Sequence, residues 1–94
     1  MSRDAYVEKL KAQIDEWNAQ IDLWEAKAKQ AEADSKIAYE QQLSELRQQR
    51  DQAQSKLDEI RNASEQAWED LKSSAEKAFS DLRAGIERAA SHFK

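Results

Sequence analysis

Ninety-four residues with 36% charged side chains, no proline, no cysteine and a single glycine leave room for one domain and few turns. The formal net charge of −4 is spread evenly, −2 over residues 1–33, −2 over 34–66 and 0 over 67–94, so no basic patch faces phosphates and nucleic acid is not an expected partner. Without cysteine there are no disulfides or thiolate ligands to consider.

The first third carries a heptad pattern. Val7, Leu10, Ile14, Trp17, Ile21, Trp24, Ala28 and Ala31 follow one another at alternating spacings of three and four. Val7, Ile14, Ile21 and Ala28 take one seam position, and Leu10, Trp17, Trp24 and Ala31 take the other. Lys11, Gln13, Asp15, Asn18 and Gln20 fit the solvated sides. Residues 3–31 are therefore read as a heptad segment.

A weaker stretch, 32–56, follows. Ile37, Tyr39, Leu43, Leu46 and Ala53 carry its stripe towards Leu57 and Ile60, diluted by Ser35, Gln42, Gln49 and Arg50. Reaching Leu43 from Ala31 takes steps of four through Ser35 and Tyr39, a stutter that locally unwinds a left-handed supercoil.

From residue 57 to 93 the period changes to eleven. Leu57, Trp68, Phe79 and Ala90 form one series, Ile60, Leu71, Leu82 and Phe93 a second, and Ser64, Ala75 and Ile86 a third. Eleven residues in three turns is about 3.67 per turn, close enough to the α-helical period to hold one face over a long run. The seam is expected to straighten here.

Two sites offer caps that would break the helix: Asp34 and Ser35 within 33–36, and Asn62 with Glu65 three residues on, which resembles a capping box. Neither has glycine or proline, and the flanking Ala, Glu, Gln and Arg favour continued helix. The expected fold is thus all-α: one long amphipathic helix of about 140 Å, at 1.5 Å per residue, in a homo-oligomeric coiled coil. The alternative is a helical hairpin or a three-helix bundle with breaks near 33–36 and 62–64.

A lone rod could not bury its aromatic side chains, each contributing about 1.5–3 kcal/mol when removed from water. The expected partner is therefore the chain itself, as dimer to tetramer. The expected oligomer core is Val7, Leu10, Ile14, Trp17, Ile21, Trp24, Ala28, Leu43, Leu46, Leu57, Ile60, Trp68, Leu71, Ala75, Phe79, Leu82, Ile86 and Phe93.

Chemistry is harder to find. There is no glycine-rich phosphate loop, no HExxH and no calcium-loop pattern. His92, the one histidine, lies on the polar side of the stripe and reads as a surface residue. Asp15/Glu16, Asp58/Glu59 and Glu69/Asp70 are sequence neighbours, about 100° apart on a helix, and read as solvated face. No catalytic residue, metal or cofactor is expected. With no apolar signal core and no run approaching the roughly eighteen residues of a membrane span, the expectation is a soluble, cytoplasmic chain. Lys72 and Arg83 border the C-terminal stripe where their stems could snorkel, so a peripheral membrane-binding helix is the second reading.

Two resemblances attach to these residues. Ala67-Trp68-Glu69-Asp70-Leu71-Lys72, echoed as Ala78-Phe79-Ser80-Asp81-Leu82-Arg83, is similar to the repeats of exchangeable apolipoproteins and of some stress-protective helical proteins. Together with Tyr6-Val7-Glu8-Lys9-Leu10-Lys11-Ala12-Gln13-Ile14-Asp15-Glu16-Trp17-Asn18, the first of those stretches also resembles a family of small bacterial coiled-coil proteins labelled stress-response proteins. The resemblance implies a bacterial, soluble coiled coil with a structural or stress-related role, and it brings no catalytic residues.

Overall fold

In a computed structural model, which describes residues 2–93, the chain folds into three helices: α1 (Arg3–Gln30), α2 (Ala33–Asn62) and α3 (Trp68–His92). At 1.5 Å per residue, helices of 25–30 residues are about 37–45 Å long, in keeping with principal extents of 51 × 18 × 17 Å. The chain runs up, down and up. Arg3 reaches Ala63 and Glu65 at one end, and Trp24 and Tyr39 meet Phe93 at the other.

The expectation of one unbroken helix is corrected here. The α1–α2 break, at Ala31 and Glu32, lies just before the 33–36 window, whose residues open α2. At the second break Asn62 is the last residue of α2, and its side-chain amide donates to the Asp58 carbonyl at 2.9 Å. Ser64 closes the turn that leads into α3: its Oγ and its carbonyl each accept from the Ala67 N–H at 3.1 Å. Helix propensity is a weak prior at either site. Interrupting a helix forfeits a few hydrogen bonds, each worth about 0.5–1.5 kcal/mol net, whereas folding back buries many apolar side chains at about 1.5–3 kcal/mol apiece. For a single chain the second sum wins.

Local signals agree with the helix ends. Ser2 caps α1, its side chain accepting from the Ala5 N–H at 3.2 Å. Acidic residues occupy the first turns (Asp4, Asp34, Glu69, Asp70), and Lys27, Lys29 and Arg61 the last turns of α1 and α2, complementing the helix dipoles.

The core runs the length of the bundle, and among the described residues every side chain buried as a whole is apolar or aromatic. Helix α2 packs closely against both neighbours. The parallel pair α1 and α3 meets through aromatic rings: Tyr6 on Trp68 and Trp17 on Phe79, each 6.0 Å between centroids, and Trp24 stacked on Phe93 at 5.3 Å. Such pairs add about 0.5–1.5 kcal/mol beyond the area they bury.

Candidate functional site

Of the residues expected in an oligomer core, Leu10, Ile14, Ile21, Trp24, Ala28, Leu43, Leu46, Leu57, Ile60, Trp68, Ala75, Phe79, Leu82 and Phe93 are buried within the single chain. Val7, Trp17, Leu71 and Ile86 are half-buried against them. Ile37, expected on the stripe, is 65% exposed and points outward, because Tyr39 instead turns in to stack on Phe93 at 4.5 Å.

Sequence reasoning missed Tyr6 and Gly85, which are also buried. A signal for Tyr6 did exist. It stands eleven residues before Trp17, as Trp68 stands eleven before Phe79, and the two pairs form successive rungs of the aromatic contact. No such signal marked Gly85. There α3 comes so close to α2 that a Cβ would collide with Gln49 Oε1 and lie 3.0 Å from Leu46 Cδ2. The carboxamide oxygen of Gln49 is buried without a hydrogen-bond partner and looks onto the glycine Cα–H. Asn18 Oδ1, on α1, is likewise buried and unpartnered.

Polar groups gather where α1 and α3 face each other. Lys72 Nζ sits 4.4 Å above the Trp68 ring and 5.5 Å from that of Tyr6, and the Arg83 guanidinium lies 5.8 Å from the Trp17 ring. Tyr6 donates its phenol proton to Glu76 at 3.5 Å. Burial first, and then the Glu76 charge and that hydrogen bond, push the Tyr6 pKa above its ordinary 10.0. The phenol is thus a neutral donor under physiological conditions. A hollow of about 250 Å³ opens beside it, edged by Lys9, Gln13, Glu76, Ser80 and Arg83.

This arrangement can hold a ring, a cation and a carboxylate in contact. Among the described residues no group of three metal-ligating side chains converges, and no helix is long and apolar enough to cross a membrane. The ion pairs Arg47–Glu25 at 3.0 Å and Arg88–Glu45 at 3.6 Å between helices, and Arg3–Glu65 at 2.8 Å from α1 to the α2–α3 link, are at least partly solvated. They orient neighbouring helices more than they stabilise them, at about 0–1 kcal/mol each. No protein-family profile, curated protein or solved structure matches this chain.

Proposed function

We propose that this protein is a non-enzymatic helical building block, with a structural or stress-related role exercised through association with further copies of itself. One observation supports the reading: among the described residues every side chain buried as a whole is apolar or aromatic, the carboxamide oxygens of Asn18 and Gln49 being the buried polar atoms without partners, while the charged groups line the outside in mixed sign. Such a molecule devotes its side chains to packing. Lys72, Arg83 and Glu76 serve that packing too, covering or hydrogen-bonding the rings of Trp68, Trp17 and Tyr6.

The test is mass in solution. Light scattering after size exclusion, over a wide range of protein concentration, is expected to give a species heavier than the 10.8 kDa chain as concentration rises. A mass fixed at one chain throughout would overturn the association reading.

Lipid is the second reading, favoured by α3, which carries Trp68, Phe79, Leu82 and Phe93 on one face. Spread on a bilayer, that face would exchange its α1 and α2 neighbours for acyl chains. Flotation with anionic and neutral vesicles separates the two, since a protein that stays with neither has no lipid role.

A further inference from the structure

The α1–α2 junction lacks every device that normally stops a helix. Ala31 (φ −74°, ψ 154°) and Glu32 (φ −67°, ψ 158°) reverse the chain in extended conformation, without glycine, proline or a side-chain cap. Alanine and glutamate are both good helix formers. The α2–α3 junction is different. There Ser64 Oγ accepts from the Ala67 N–H, and Arg3 donates to the Ala63 carbonyl and to Glu65. One link is fastened by side chains; at the other the hydrogen bonds, Ala31 N–H to the Ala28 carbonyl and Lys36 N–H to the Glu32 carbonyl, are backbone ones alone among the described residues.

Across the unfastened link the buried faces of α1 and α2 stay in helical phase. Ala28 and Tyr39 are eleven residues apart, and Trp24 and Leu46 are twenty-two apart. At 100° per residue these pairs lie about 20° and 40° apart on a straight helix. Straightening Ala31 and Glu32 would therefore present one continuous apolar face from Arg3 to Asn62, about 90 Å long at 1.5 Å per residue. Ala28, Ala31 and Ser35, the small residues on that stripe, fall where two such helices would cross.

From this geometry we infer that two copies exchange α1 about the Ala31–Glu32 link, forming a dimer in which α1 of each copy packs on α2 and α3 of the other. The inference rests on the association reading and names its route. Contacts that α1 makes within one chain are remade between two: Trp24 on Phe93, Glu25 with Arg47, and Lys27 Nζ with the Phe93 carbonyl. The gain peculiar to the dimer is helix regained at both links, with no new core to build.

Ala33→Pro separates exchange from other association. Residue 33 is the first of α2, where proline is favoured, and Glu32 already has the extended backbone that a residue before proline requires. The closed bundle accepts the change, whereas in a straightened helix the ring would strike the carbonyl of residue 29. Both proteins are refolded from denaturant at low and high concentration and sized by light scattering, with circular dichroism as the control for folding. The wild type is expected to form dimer at high concentration. Ala33→Pro is expected to stay single, its self-association weakened at least about a hundredfold, the scale of one proline inside a helix. A glycine-rich insertion between Ala31 and Glu32, which lets the hairpin close without strain, is expected to do the same. Equal dimerisation of wild type and both variants overturns the exchange and leaves the association reading standing. A wild type that remains single at every concentration overturns both.

Discussion

At Gly85 two residue-scale effects oppose each other, and their sizes decide the sign. Alanine in a helix interior is favoured over glycine by about 1 kcal/mol, but here its methyl group meets the Gln49 carboxamide and Leu46, and overpacking costs about 1–3 kcal/mol. Because the Gln49 carboxamide is the unbonded end of a flexible, half-buried side chain that can swing aside, Gly85→Ala is expected to be close to neutral in urea unfolding. In a Gln49→Ala background the obstruction is gone, and the same substitution is expected to gain up to about 1 kcal/mol. Equal effects in the two backgrounds would refute the close approach. Tyr6 supplies a pH test. Its folded-state pKa is raised, so its contribution to stability is fully present below about 10, the unfolded value, and is lost as pH climbs through the folded value. Melting temperature should therefore fall more steeply above pH 10 for the wild type than for Tyr6→Phe. Parallel curves would mean that the phenol ionises as freely in the fold as outside it.

At the scale of the element, the helical character of the whole chain could be read from its residues: propensity, dipole-matched charges and apolar period all agree from Arg3 to His92. The breaks were harder to read. Around residues 62–65 two polar side chains could bond the free N–H groups of the link, and it is Ser64 that does so, in the turn before α3, because Asn62 still lies within α2 and bonds back to Asp58. Ser64→Ala is accordingly expected to cost about 1 kcal/mol in thermal or chemical unfolding, the scale of one net hydrogen bond, and Asn62→Ala distinctly less. The reverse ranking would mean that Asn62, not Ser64, secures the link. The break at Ala31 and Glu32 was marked only indirectly, by the capping candidates Asp34 and Ser35 just beyond it, which lie inside α2. It exists because α1 gains more by lying on α2 and α3 than by extending α2.

For the whole molecule, the aromatic contact between α1 and α3 is the feature that closes the bundle. Trp68, 4% exposed and packed on Tyr6, is expected to cost about 3–5 kcal/mol when replaced by alanine. Trp17 is half-buried with Arg83 over its face, so Trp17→Ala should cost less and leave fluorescence from buried indoles at Trp24 and Trp68. Equal losses at the two positions would contradict this placement. By itself the sequence determined that the chain is helical and which side chains must leave water, since a periodic apolar stripe encodes a face. It did not determine what covers that face. A stripe looks the same whether a second molecule or the chain's own next helix lies against it, and only the tertiary structure, with Tyr6 over Trp68 and Trp24 over Phe93, shows the chain turning twice to cover itself.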